Sequence, residues 1–175
     1  MKIAARQLFV LYMISLAMAL ISCMSAKPGI SDALDSEFDK FVEIKDLNKY
    51  FEVRLTSGQE IYKFGTIIRI FLYNVSDEKI LFPVGYGIRL FIVIDNEWLE
   101  IDNESNFSGE AVTLPSISNQ NMGARLSFGV LPALPSDIEI QEKAILRILI
   151  QGLLISDKSS SDVPVGAFVD VYVEP

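Results

Sequence analysis

The sequence contains no histidine, one cysteine and one tryptophan among its 175 residues. Without histidine, the chain lacks the side chain best suited to proton transfer near neutral pH and the commonest metal ligand. Cys/His zinc sites and Cys/His catalytic pairs are therefore excluded. The sequence also has neither a glycine-rich phosphate loop nor a G-x-S-x-G elbow. We predict a protein that is not an enzyme and has no catalytic residue, metal site or cofactor.

Positive charge is the second shortage, since 15 lysines and arginines stand against 23 aspartates and glutamates, for a net charge of -8. A surface this acidic repels phosphates and anionic lipid headgroups, so we expect no nucleic-acid partner and no polybasic contact with a membrane. Carboxylates, hydroxyls, lysines and arginines remain as the groups available for chemistry. If the protein is an enzyme, a glycoside hydrolase with paired carboxylates is therefore the class that agrees best with this composition.

The N-terminus has the pattern of a signal peptide, residues 1–22. Lys2 and Arg6 supply positive charge, and an apolar run follows from Leu8 to Ile21. Leu20, Ile21, Ser22 and Cys23 then match a lipobox, so the chain resembles the bacterial lipoproteins. The resemblance implies that the chain is cleaved before Cys23 and that fatty acids are attached to this residue. Two or three acyl chains hold a protein durably at a membrane, whereas one chain does so only marginally.

An uncleaved signal anchor and a plain secretory signal remain as alternatives to lipidation. All three place the folded part outside the cytoplasmic membrane, because the positive charges precede the apolar run. We expect a protein anchored through its N-terminal lipid to the cell membrane or the outer membrane, facing away from the cytoplasm. Residue 24 is methionine and not aspartate, which favours the outer membrane in a cell that has two membranes.

After cleavage, the chain is long enough for one domain with a hydrophobic core. Residues 23–48 are predicted to form a tether. Within it, Leu34, Phe38 and Phe41 recur at spacings of four and three, the pattern of a short amphipathic helix packed on the domain. Residues 49–175 form the predicted domain.

Hydrophobic periodicity changes to two from Tyr50 onward, in nine short runs separated by turn residues. This pattern predicts an all-β domain, an antiparallel sandwich of about eight strands. The segment from Tyr62 to Pro83 resembles the strand, Asn-x-Ser-Asp turn and strand of immunoglobulin-like domains in bacterial envelope proteins, which implies that fold. Three strands are apolar except for Arg69, Arg89 and Arg147, and we expect these arginines to point outward while their stems cover apolar surface.

A predicted hairpin carries the candidate ligand site. With Asp95 and Asn96 as its two-residue turn, Ile92 faces Leu99 on one side of the sheet, and Arg89 lies opposite Asp102 on the other. Moving the turn by one residue keeps both faces but changes the partners. The candidate residues on the second face are Arg89, Phe91, Trp98, Glu100 and Asp102. An indole beside charged groups suits sugar binding. The alternative is that Trp98 packs under a neighbouring loop, with Arg89 and Asp102 as a surface pair.

These patterns favour a lipid-anchored binding or adhesion module with a glycan or a protein as its partner. A protease inhibitor is the alternative, in which the proline-stiffened segment from Leu131 to Gln141 blocks the protease. A crossover between two sheets explains that segment equally well. Two acidic clusters around residues 95–97 and 102–104 are read as solvated turns, because neither has the spacing of a calcium loop.

Overall fold

The computed structural model describes residues 30–42, 44, 46–105, 110–118, 125–155 and 162–175, with the backbone alone at residues 40 and 41. The predicted signal peptide and Cys23 lie outside the described residues, so the membrane anchor stays a prediction. None of the helices in the described ranges has the length and apolar character needed to cross a bilayer.

Strands dominate the described chain, together with one α-helix, α1, at Asp32–Phe41 and a 3-10 turn at Val84–Gly87. The nine predicted runs all lie in strands, which confirms the all-β prediction. β2 and β9 were not predicted, because two or three residues are too few to show alternation. The strands are β1 Phe51–Leu55, β2 Ile61–Lys63, β3 Ile68–Asn74, β4 Lys79–Phe82, β5 Ile88–Ile94, β6 Glu97–Asn103, β7 Val112–Leu114, β8 Arg125–Val130, β9 Pro132–Ala133, β10 Ala144–Ile155 and β11 Val163–Glu174.

The strands form two sheets. The smaller sheet has the antiparallel order β1-β3-β8. The larger sheet has the order β2-β11-β10-β5-β6-β9, in which β2 runs parallel to β11 and the other pairs are antiparallel. β10 pairs with β5 along its first half and with β4 at its C-terminal end, and β7 extends the sheet beyond β4. The twelve residues of β10 therefore hold the larger sheet together.

One hydrophobic core is shared by both sheets. Alternate residues of β3, such as Ile70 and Leu72, point into it from the smaller sheet, and Leu146 and Ile148 of β10 do so from the larger one. The rings of Phe51 and Phe82 meet edge to face across the core, with centroids 5.2 Å apart. The all-β class is thus established, while the immunoglobulin-like arrangement stays a prediction.

The segment before β1 packs on the domain. Ser31 caps α1 by accepting a hydrogen bond from the backbone N–H of Leu34, and Phe38 on its inner face is fully buried. Farther on, the backbone N–H of Asn48 donates to the Gly166 carbonyl, and its side-chain oxygen accepts from the backbone N–H of Phe168. The packed helix is therefore present, and Asn48, in the predicted tether, is hydrogen-bonded to β11.

A glycine in the 3-10 turn before β5 makes a prediction about stability. Gly87 has a φ of +56°, and a Cβ on it would lie 2.5 Å from the backbone oxygen of Gln151. Because both the conformation and the space exclude a side chain, we expect Gly87→Ala to lower the free energy of unfolding by about 1–3 kcal/mol. Urea denaturation measures this change.

Gly58 provides the matched control, since a Cβ there would meet nothing within 4 Å. The substitution Gly58→Ala should leave stability unchanged or raise it by up to about 1 kcal/mol. Equal losses from both substitutions would show that the close approach at Gly87 does not constrain the turn.

Candidate functional site

The hairpin of β5 and β6 has the predicted register. Asp95 and Asn96 have φ values of 52° and 62°, as a two-residue turn with both residues left-handed requires. Leu90 pairs with Ile101, and Val93 pairs with Trp98. The pairing expected from the first turn position is therefore confirmed, and the alternative that moves the turn by one residue is wrong.

Two of the five candidate ligand residues are buried beneath α1. Phe91 is 1% exposed and Trp98 is 8% exposed. The indole N–H of Trp98 donates a 2.8 Å hydrogen bond to the Leu34 carbonyl, and the Phe38 ring lies 5.0 Å from both aromatic rings. Because α1 covers this part of the outer sheet face, Trp98 has no free ring surface for a sugar. The stacking hypothesis is wrong. The alternative was right that Trp98 is packed under another part of the chain, but the covering element is helix α1 and not a loop.

Arg147 lies at the centre of the same covered surface. The residue projects from the outer face of β10, as predicted, yet it is only 2% exposed. Its Nε and Nη2 atoms donate to the two carboxylate oxygens of Asp170 over 2.7 and 2.8 Å. Nη2 also donates to Asp35 of α1 over 2.8 Å. The expectation of an exposed guanidinium is therefore wrong, because α1 closes over it and supplies one of its partners.

Aromatic rings complete the surroundings of this guanidinium. Its central carbon lies 3.8 Å from the centroid of the Phe168 ring, 4.5 Å from that of Phe38 and 4.8 Å from that of Trp98. Burial opposes its charge, but the hydrogen bonds and charges of Asp170 and Asp35 outweigh burial and raise the pKa of Arg147 above its ordinary value. The charge therefore persists in an apolar setting and attracts the ring faces.

The other three candidate residues line an open pocket of about 460 Å³. One wall is the 3-10 turn, in which Gly85 and Gly87 adopt positive φ values. The opposite wall is the hairpin, which contributes Arg89, Glu100 and Asp102. The structure therefore divides the predicted site into a buried aromatic part and an open charged part.

Arg89 and Glu100 form a bidentate ion pair in this pocket. The Nε atom of Arg89 lies 2.7 Å from one carboxylate oxygen, and Nη2 lies 2.8 Å from the other. Asp102 was the expected partner. Glu100 takes its place because a long side chain reaches the diagonal neighbour on the same sheet face. The hydrogen bond and charge of Arg89 outweigh burial and lower the pKa of Glu100 below its ordinary value of 4.5.

Asn103 fixes the rim of the pocket. Its side-chain oxygen accepts hydrogen bonds from the backbone N–H groups of Ser105, over 3.2 Å, and Leu131, over 3.1 Å. Asn103, Ser105 and the two glycines were not predicted as site residues. The signal in the sequence was the Val-Gly-Tyr-Gly run of residues 84–87, which marks an irregular turn beside the hairpin.

The pocket offers charged hydrogen-bonding groups for a polar ligand. Glu100 is held ionised by Arg89, which makes it a poor proton donor near neutral pH. Within the described ranges, no three acidic or cysteine side chains are grouped so that they could hold a metal ion. The pocket therefore presents an ion pair and further polar groups to a ligand.

The segment from Leu131 to Gln141 is attached to the sheets at several points. Pro132 and Ala133 form β9 against Asn103 and Asp102, and Leu134 and Ile140 pack on the core. Ser136, Asp137 and Glu139 are exposed. The part of this segment that is available to block a protease is therefore shorter than the sequence indicated.

Comparisons with known proteins add little. Neither a family model nor a curated protein sequence matches the chain. Among solved structures, the chain is similar to the sporulation control protein Spo0M from Bacillus subtilis, with a TM-score of 0.38 and 14% identity. The match covers 72% of this chain and 50% of that protein, so the chain spans half of its length. A likeness this distant carries no argument about function.

The cluster around Arg147 makes a prediction about stability. Replacing Arg147 by alanine leaves Asp170, whose side chain is 14% exposed, without its partner. We expect Arg147→Ala to lower the free energy of unfolding by about 3–5 kcal/mol, since removal of one member of a buried ion pair leaves the other charge buried without a partner. Urea denaturation followed by Trp98 fluorescence measures the loss.

Two further variants distinguish the cost of an unpaired Asp170 charge from the cost of lost packing. The double substitution Arg147→Met and Asp170→Leu should recover most of the loss, because apolar residues replace both charges. Arg54→Ala, which breaks the exposed pair with Glu52, should cost less than about 1 kcal/mol. A double variant as unstable as Arg147→Ala would contradict this account of the cluster.

The ion pair in the pocket makes a prediction about pH. Because the pKa of Glu100 is lowered in the folded state, the pair contributes stability above the pKa of the unfolded state and loses it as the pH falls through the folded value. Both side chains are partly exposed, so this contribution is below about 1 kcal/mol. Carbon-13 NMR should give Glu100 a pKa below 4.5 that rises in Arg89→Gln. An unchanged pKa in that variant would show that the pair does not form in solution.

Proposed function

We propose that this protein is a lipid-anchored binding module on the outer side of a bacterial membrane, without catalytic activity. The lipobox ending at Cys23 supports the anchor. α1 begins at Asp32, so the chain between Cys23 and α1 spans at most about 30 Å even when fully extended. In this proposal, the folded domain therefore stays close to the membrane surface.

The observation that carries this proposal is the attachment of α1 to the larger sheet. The Asp35 carboxylate binds the guanidinium of Arg147, and Phe38 fills the space between Phe91, Trp98 and Phe168. A segment that served only as a flexible spacer has no need of an ion pair to a buried guanidinium. In the proposed function, α1 mounts the domain close to the membrane and restricts which surfaces a partner can reach.

The open pocket supplies the second part of the proposal. Arg89, Glu100 and Asp102 present donors and acceptors at its wall, and Val84 is an exposed apolar residue at its edge. Glycan hydroxyls and peptide groups both satisfy such a surface. A protease inhibitor fits less well, because β9 and the packing of Leu134 hold much of the candidate inhibitory segment against the domain.

The anchor is tested by Cys23→Ala in cells that are fed a radioactive fatty acid. We expect the variant to lose the label and to leave the membrane fraction, because its attachment site is gone. The control is Ser25→Ala, a substitution of similar size that leaves the lipobox intact. If Cys23→Ala retained both the label and its place in the membrane fraction, the protein would not be a lipoprotein of this kind.

A further inference from the structure

The outer face of the smaller sheet carries a cluster of arginines and aromatic rings. Inward residues of β1, β3 and β8 fill the core, so the residues between them point away from it. The members of this surface, the arginine face, are Arg54, Arg69, Phe71, Tyr73 and Arg125, together with one acid, Glu52, which lies opposite Tyr73. They come from all three strands of the smaller sheet and meet on one side.

Two of the three guanidinium groups of the arginine face, those of Arg54 and Arg125, lie over its rings. Arg54 is 5.0 Å from the centroid of the Tyr73 ring, and Arg125 is 5.6 Å from that of Phe71. The two ring centroids are 6.0 Å apart. Stacking holds the planar guanidinium groups close to the sheet and leaves N–H groups at their edges to reach outward. The donors of Arg54 and Arg125 are therefore positioned before any partner binds.

The charges of this face are only partly neutralised within the protein. Arg54 binds Glu52 over 2.7 Å, whereas Arg69 and Arg125 have no carboxylate partner among the described residues. All three arginines are exposed, and Ile67, beside Arg69, is an exposed apolar residue with 59% of its surface accessible. No described helix covers this face, in contrast to the larger sheet.

The arginine face has the opposite sign to the protein as a whole. Three of the six arginines of the chain lie on it, although acids outnumber lysines and arginines by 23 to 15. The net charge of the protein predicted that anionic partners are repelled. Salt screens charges that lie more than about 10 Å apart, so a local cluster of charges determines what binds at short range. The surface is therefore locally positive within a protein whose net charge is negative.

We propose that the arginine face binds an extended acidic segment of a partner protein, an inference that rests on the proposed binding function and identifies its partner. Arginine and aromatic residues are the types most enriched at protein interfaces and at their energetic hot spots. A guanidinium can also donate two parallel hydrogen bonds to the two oxygens of a carboxylate. Aspartate and glutamate side chains supply that carboxylate.

The dimensions of the face favour a peptide over a globular surface. Three strands about 4.8 Å apart span about 10 Å, and the seven residues of β3 extend for about 23 Å. This area is well below the roughly 800 Å² that each partner contributes to a standard interface. One extended segment lying across the sheet fits it. The face also has fewer basic residues than the clusters of about four to eight that recognise anionic membranes.

The test measures binding of a short fluorescent peptide rich in aspartate and glutamate to the full-length lipidated protein in neutral detergent. Fluorescence anisotropy should show binding that weakens with added salt, and the same peptide with asparagine and glutamine should not bind. The double substitution Arg69→Gln and Arg125→Gln should weaken binding about tenfold for each lost arginine. Circular dichroism verifies that this variant is folded.

The matched control is Lys63→Gln with Lys79→Gln, which removes the same charge from exposed positions outside the arginine face. Unchanged binding in this variant supports the proposal. Equal weakening by both double variants would overturn it, since only net charge would then matter. Binding of an acidic polysaccharide in place of the peptide, or no binding at all, would also overturn it. None of these results changes the outcome of the Cys23 labelling, so failure here leaves the anchored module standing.

Discussion

The buried guanidinium of Arg147 determines how the N-terminal segment and the strands fit together. A charge in an apolar environment is costly unless it is paired and hydrogen-bonded. Asp170 on the neighbouring strand meets that need in part, and Asp35 on α1 provides a further hydrogen bond. The helix is therefore placed by electrostatics as well as by Phe38, and its position on the sheet is specified more narrowly than packing alone would specify it.

This placement decides which surfaces of the domain remain available. One face of the larger sheet contributes to the core, and α1 covers part of the other face. Among the surfaces that no described helix covers are the pocket at the edge of the hairpin and the outer face of the smaller sheet. Both of these surfaces present arginines, although one is paired with Glu100 and two others have no acidic partner in the described part of the chain.

Local patterns predicted the strands and the hairpin register well. Alternation and apolar runs between turn residues placed the nine strands. Asp95 with Asn96 was the first of two turn positions left open by the sequence, and the structure has this turn, in which both residues adopt a positive φ. A helix packed on the domain was also expected from Leu34 and Phe38. What the sequence did not show was where that helix docks. Docking depends on contacts such as the one between Asp35 and Arg147, which are 112 residues apart.

Arg69, Arg89 and Arg147 illustrate this limit. Each is the one charged residue in its strand and is flanked by apolar residues, so local pattern assigns all three the same role. In the structure, Arg147 is buried under α1, Arg89 is paired at the pocket wall, and Arg69 faces solvent without a described carboxylate partner. The three arginines differ in what packs over the outer face of their strand. A clue was present in β11, where Asp170 is likewise a lone charge among apolar residues until Glu174.

The amino-acid composition likewise does not show where the charges lie on the surface. An excess of acids predicts repulsion of anionic partners at long range, where all charges of the protein act together. At contact distance the result depends on a few side chains, and bidentate arginines are worth more than a uniform background of the same charge. The aromatic rings beneath Arg54 and Arg125 matter for that reason, because they hold the guanidinium groups in place and reduce the entropy lost when a carboxylate binds. The selectivity of an acidic protein for an acidic partner then follows from where its few arginines are fixed.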